Sequence, residues 1–196
     1  QLADLYLFAQ TIRVSPELYP PNWDSVRRAI LANPGGLWII GNEPECIYQD
    51  QRSPEAYAEI YHTCYTFIKQ HDPTAQIAIG GVVQPTPLRL QWLDRVLAHY
   101  QATYGQFIPV DVWNIHVQIL QEKRGAYGCD IPVDIEADEG RLYPWWENDS
   151  IDHFRDLVWA FREWMAERGE REKPLIISEF GVLMPLSHFD RLDGPG

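Results

Sequence analysis

The chain has few cysteines. Cys46, Cys64 and Cys129 are the only three, and no two of them form a C-x-x-C pair, so neither a zinc ribbon nor a thioredoxin-like redox motif is encoded. Positive charge is also scarce. Sixteen Lys and Arg face 28 Asp and Glu, a net charge of −12 with no basic cluster to offset it. Nucleic acid is therefore not an expected partner, because that affinity rests on neutralised phosphates. No apolar run approaches the roughly 20 residues that cross a bilayer, so no membrane span is expected. Gln1 to Asp4 do not read as a secretory leader. There is no Gly-x-Ser-x-Gly elbow, and Gly80-Gly81 and Tyr104-Gly105 lack the strand–loop–helix setting of a phosphate loop. The acids Asp130, Asp134, Glu136, Asp138 and Glu139 miss the spacing of an EF-hand and read as a solvated loop. No metal or cofactor is expected.

What is present suits one globular α/β domain over residues 1–196. Hydrophobic residues make up 45% of the chain and charged residues 22%, enough for a real core. Apolar strand-like runs alternate with helical patterns. Strands are expected at Leu5 to Val14, Leu37 to Gly41, Ile77 to Val83, Val110 to Val117 and Pro174 to Ser178. Helices are expected from about Asn22 to Asn33, after Ser53-Pro54, from Leu88 to Tyr104 and from Ile151 to Arg168. Ser53 is placed as an N-cap with proline at the first helical position. In the helix that follows, Tyr57, Ile60, Tyr61, Cys64 and Ile68 recur at helical spacing, which makes Cys64 a core residue. Continuously apolar strands alternating with helices imply a parallel sheet covered on its faces, either an open α/β sheet or a segment of a (β/α)8 barrel. The stretch 118–150 has no period. Loops of that length in a compact domain are usually functional. Cys46 and Cys129 fall in loops near one end of the fold, where a disulfide between them is one alternative.

Two strings carry chemistry. Leu37-Trp38-Ile39-Ile40-Gly41-Asn42-Glu43-Pro44 and Leu175-Ile176-Ile177-Ser178-Glu179 are apolar runs that end in glutamate. Carboxylates at the C-terminal ends of buried parallel strands stand where α/β enzymes place their reacting groups, and a pair of them suits glycoside hydrolysis. Eight Trp and ten Tyr either fill core or offer flat faces with a polar edge, which fit sugars.

Gly41-Asn42-Glu43-Pro44, with Ser178-Glu179-Phe180-Gly181 about three β/α units later, resembles clan A of the retaining glycoside hydrolases. The resemblance runs from about Leu5 to Met184. It implies a (β/α)8 TIM-barrel type, incomplete here, with about strands three to seven present. Strands one and two would precede Gln1, and strand eight would follow Gly196. It further implies Glu43 as acid/base and Glu179 as nucleophile, with Asn42 on the sugar 2-hydroxyl. His116, at the end of the sixth strand, would stand near the nucleophile. Tyr143, Trp145 and Trp146, in the long loop, are candidates for stacking on sugar rings. Glu43 would be the protonated member, beside Trp38 and Pro44, and Glu179 would be kept ionised by His116 and Asn42.

The substrate would be an oligo- or polysaccharide met outside the cell or at its envelope, with no cofactor. Another chain or missing segments would complete the barrel. The rival is a non-catalytic carbohydrate-binding or structural protein with a partial barrel. His116 then reads as a satisfied core histidine, and the tryptophans as loop packing.

Overall fold

A computed structural model of the chain describes residues 9–183. The first part of the strand expected at 5–14, and Met184, lie outside the described residues. In chain order the elements are β1 (Gln10–Ile12), α1 (Trp23–Ala32), β2 (Leu37–Ile40), α2 (Pro54–His71), β3 (Gln76–Ile79), α3 (Pro87–Tyr104), β4 (Trp113–Val117), a 3-10 turn (Trp145–Glu147), α4 (Ile151–Glu167) and β5 (Leu175–Phe180).

Each α-helix is punctuated by its local sequence. Asn22 caps α1 by accepting from Ser25 N, Ser53 caps α2 by accepting from Ala56 N, and Ser150 caps α4 by accepting from His153 N. These side chains satisfy backbone donors that the first helical turn leaves free. Pro54 and Pro87 open α2 and α3, where a missing N–H costs nothing. α3 stops at Gly105, whose φ of 67° lies in the left-handed region.

All strands are parallel and their spatial order follows the sequence. β1 pairs with β2, β2 with β3, and β4 with β5. Parallel bridges Ala78↔Val112 and Val82↔Ile115 join β3 to β4. Right-handed crossovers that always step the same way put their helices on one face. A doubly wound sheet reverses its order at a switch point, and this row does not. It is the order of a barrel wall, with β1 and β5 at its two ends among the described residues.

The two faces bury different sets of side chains. Trp38, Ile40, Ile77, Ile79, Trp113 and Ile115 pack with the helices in the main core. Leu37, Ile39, Ala78 and Val112, with Ile176 against them, form a separate cluster on the other face, as the two-residue period of a strand requires. Trp38 therefore faces the helices and not the side to which Glu43 turns.

Residues 118–150 are more ordered than their sequence suggests. Lys123 and Glu139 form an antiparallel bridge, Glu122 N donates to Arg141 O, and Gly140 N returns to Glu122 O. Tyr127 Oη and Asn148 Nδ2 both donate to Leu183 O, which ties this loop to the segment after β5.

Candidate active site

The tip of β2 is fixed by one buried acid. Asp50 Oδ2 accepts from Val14 N at 3.0 Å and from Asn42 N at 2.7 Å, while Asp50 Oδ1 accepts from Arg13 Nε at 2.7 Å. Gly41 turns there with a φ of 89°, and a side chain on it would meet Tyr57 and Val14. Tyr57 Oη donates to Ile40 O and accepts from Gly80 N, linking the ends of β2 and β3. Glu43 then sits at a φ of 44°, a strained conformation for a residue with a Cβ. It is held by Glu43 N donating to Gly81 O and Cys46 N donating to Glu43 O.

β4 and β5 deliver the other two groups. Period-two alternation from Ile176 would send Glu179 to the helix face. The ladder slips instead: Ile115 pairs with Ile177, and His116 with Glu179. Ser178 is thus an extra residue on β5, a bulge that re-aims the next side chain and brings Glu179 beside His116. Gly81, at the tip of β3, leaves His116 its space. A Cβ there would lie 2.5 Å from His116 Cδ2 and 2.8 Å from Nε2.

The result is a compact trio. His116 Nδ1 is hydrogen-bonded to Glu43 Oε1 at 2.9 Å and lies 3.7 Å from Glu179 Oε2. One ligating atom from each group lies within 4.8 Å of the others. Glu43 is 7% exposed and His116 2%, whereas half of the Glu179 side chain is open. Glu43 and Glu179 line one cavity of about 400 Å³, together with Tyr48, Gln49, Val83, Gln118, Leu120 and Phe180 among others. Two carboxylates and an imidazole are also a possible donor set for a divalent cation. One imidazole nitrogen is already engaged by Glu43, and Nε2 faces Gly81.

Asn42 precedes Glu43 in the chain but does not line that cavity, and its amide donates to Gln49 Oε1 at 3.3 Å. Tyr143, Trp145 and Trp146 do not line that cavity. Tyr143 packs against the core and the ring of His153, and Trp145 meets Trp146 edge-on. Tyr48 and Phe180, not singled out from sequence, are the exposed aromatic rings at the cavity, at 62% and 73%. Phe180 follows Glu179 directly. Tyr48 lies in the loop that carries Glu43, and its spacing gave no signal.

Behind Glu43 lies a buried charge cluster that the sequence reading missed. Glu45, Arg89 and Glu122 are fully buried. Arg89 Nε is 3.4 Å from Glu45 Oε1, and Nη1 is 3.4 Å from Glu122 Oε1. Burial pushes the Glu45 carboxyl up to about 7, against the pull of Arg89 and the Val83 N–H. Arg89 occurs in phase with Trp92, Leu93 and Val96 on the buried face of α3, and a charge in an apolar phase was the available signal. Cys46 and Cys129 share a small buried cluster with Val83 and Leu120. All three cysteines are free thiols, so the disulfide alternative is not realised. Burial pushes the thiols of Cys46 and Cys129 to about 12, which keeps them protonated.

No protein-family model and no curated protein sequence matches the chain. Solved structures do. A GH128 subgroup III curdlan-specific exo-β-1,3-glucanase from Blastomyces gilchristii aligns with a TM-score of 0.59 at 17% identity, over 89% of this chain and 60% of that one. A GH128 subgroup II endo-β-1,3-glucanase from Pseudomonas viridiflava aligns at 0.57 and 16%, over 91% of this chain and 54% of that one. A glucosidase from Croceicoccus marinus aligns at 0.51 and 13%, over 83% and 31%. The chain thus resembles clan A glycoside hydrolases in fold, and spans 54 to 60% of the two GH128 enzymes.

Proposed function

We propose that the chain carries the active site of a retaining glycoside hydrolase of incomplete (β/α)8 type. The observation that carries this is the Glu43–Glu179 pair. The two carboxylates stand on one sheet edge, line one cavity, and bring oxygens within 4.8 Å of each other. Retaining enzymes hold their carboxyl groups about 5–5.5 Å apart, and inverting ones about 6.5–9.5 Å to admit a water. Glu179, half open to the cavity, attacks the anomeric carbon. Glu43 gives its proton to the leaving oxygen, then takes one from the water that cleaves the glycosyl ester of Glu179. The two carboxylates supply this chemistry without a cofactor.

The β-1,3-glucanase activity named for the GH128 structures makes a β-1,3-linked glucan the substrate to test first. Asn42 would meet the sugar 2-hydroxyl. Tyr48 and Phe180, which line the cavity, are candidates for stacking on a sugar ring, and Tyr143, Trp145 and Trp146 stand as candidates further along the chain bound. The open outer half of β5 supports completion of the wall by another chain or further segments. That same openness is what favours the second reading, a non-catalytic carbohydrate-binding protein.

The test is turnover of laminarin and of an activated aryl β-glucoside. Glu179→Ala should abolish both. Glu43→Ala should lose laminarin but keep the first step on the aryl glycoside, whose leaving group needs no acid. Proton NMR of the first product should show the retained anomer. Sugar binding without turnover in the wild type would favour the second reading.

A further inference from the structure

Arg89 carries a buried guanidinium that the proposed reaction does not use, and its contacts reach the loops after β2 and β4. Nη2 donates to Cys129 O at 2.9 Å and to Asp130 O at 3.3 Å. Nε and Nη1 face Glu45 and Glu122 at 3.4 Å without closing a hydrogen bond. The two acids pass the link on. Glu45 Oε1 accepts from Val83 N at 2.8 Å, and Glu45 O accepts from Val133 N at 2.9 Å. Glu122 accepts from Thr86 Oγ1 and from Arg141 N. Arg89 itself is anchored in the first turn of α3. The loops after β2 and β4 therefore meet on one guanidinium, and the loop after β3 joins them through Glu45 and Glu122. Glu45 is two residues from Glu43, and Glu122 is six from His116.

Stability is a poor explanation for this cluster. Desolvating two carboxylates and a guanidinium can cost more than their attraction returns, and here Glu45 Oε2, Arg89 Nε and Arg89 Nη1 have no hydrogen-bond partner. What a planar, always-charged fork does supply is direction: it fixes several acceptors at set angles, which a lysine point charge does not. We propose that Arg89 is a positioning residue, whose guanidinium sets the loops after β2 and β4 against each other and so holds Glu43 against His116. The proposal concerns that pair of side chains and holds whether or not the pair hydrolyses sugar.

The test uses the whole chain in two variants. In Arg89→Met/Glu45→Gln/Glu122→Gln the buried charges are removed together, which leaves no uncompensated ion to unfold the protein. In Arg89→Lys the charge stays and the fork is lost. The readout is the 15N spectrum of the histidine side chains, with His116 assigned by its loss in His116→Asn. The Nδ1 resonance of His116 should move in both variants while the other histidines hold, and the circular dichroism spectrum should stay that of the wild type. On laminarin, kcat should fall about a hundredfold in the triple variant, as expected for a misplacement on the scale of 1 Å. KM should change little, and Arg89→Lys should recover part of kcat. A folded triple variant with an unmoved His116 resonance would overturn the proposal. If the triple variant does not fold, an unmoved resonance in Arg89→Lys does the same. A wild type without turnover sinks the glycosidase reading alone, because the spectra still decide the role of Arg89.

Discussion

Glu43, in the turn after β2, and His116, on β4, are joined by a hydrogen bond of 2.9 Å. β3 lies between these two strands, and its tip is glycine where the imidazole passes. A methyl group at Gly81 would overlap an imidazole that is 2% exposed and has nowhere to retreat. Gly81→Ala should therefore cost about 1–3 kcal/mol by overpacking and should lengthen the Glu43–His116 contact. Urea unfolding measures the first effect. A crystal structure of the variant measures the second, and an unmoved imidazole would contradict it.

His116 shares a hydrogen bond with Glu43 and also faces Glu179. Removing it in His116→Ala leaves a buried carboxylate oxygen without its partner, at a cost of about 1–3 kcal/mol. If the trio is catalytic, kcat on laminarin should drop by roughly the 10²-fold to 10⁴-fold that acid–base positioning contributes. A His116→Ala protein with wild-type kcat would place the imidazole outside the reaction.

Asp50 gathers the backbone of Val14 and Asn42 and the guanidinium of Arg13 onto one buried carboxylate. Asp50→Asn keeps the shape but turns a two-oxygen acceptor into one oxygen and one N–H group. Either both backbone donors on Oδ2, or the arginine on Oδ1, must then go unsatisfied. The expected loss is about 2–4 kcal/mol, read by chemical denaturation. Arg13→Ala should cost less, because that side chain is 40% exposed and exposed pairs contribute little. Equal losses would mean that the ion pair, and not the backbone, is the point of Asp50.

Glu45 gives stability a dependence on pH. Its carboxyl is pushed up to about 7 by burial, with Glu43 adding to the push and Arg89 and the Val83 N–H opposing it. In the unfolded chain it returns to roughly 4.3. Below that value Glu45 is protonated in both states and its contribution is complete. As pH rises toward 7 the unfolded chain gives up the proton more readily, so the contribution is lost over that window and is flat above it. Glu45→Gln should lose less stability than wild type between pH 5 and pH 8, by at most on the order of 3 kcal/mol. Parallel curves for the two proteins would show that Arg89 holds Glu45 ionised throughout.

The helices could be read from the sequence because their limits are set locally. Ser53-Pro54 and Ser150 cap within one turn of chain, and α2 and α4 start where those residues place them. The strand ends could be read for a similar reason, since an apolar run that stops at Glu43 or Glu179 is a short pattern. What escaped depends on chain distant in sequence. Glu45 and Glu122 look like loop surface until the packing of α3 encloses them. Asp50 looks like one more loop acid until β1 and β2 end on it. The slip at Ser178 escaped for another reason, because alternation alone assigns Glu179 to the wrong face. Nor did the sequence separate Tyr48, at the cavity, from Trp146, which is exposed away from it.

The burial of β5 falls away along its length: its first three residues are half-buried and Ser178 to Phe180 are exposed. Its one ladder partner among the described residues is β4. β2 and β4, by contrast, are buried at every position. The trio is thus divided between a stiff part and a soft one. Amides near Glu43 and His116 should exchange with solvent only when much of the sheet opens, while those around Glu179 need only the end of one strand to lift. In this chain the group proposed to bond covalently to the sugar stands on backbone that comes apart first, and a ligand bridging the cleft to Phe180 would slow that opening as it bound.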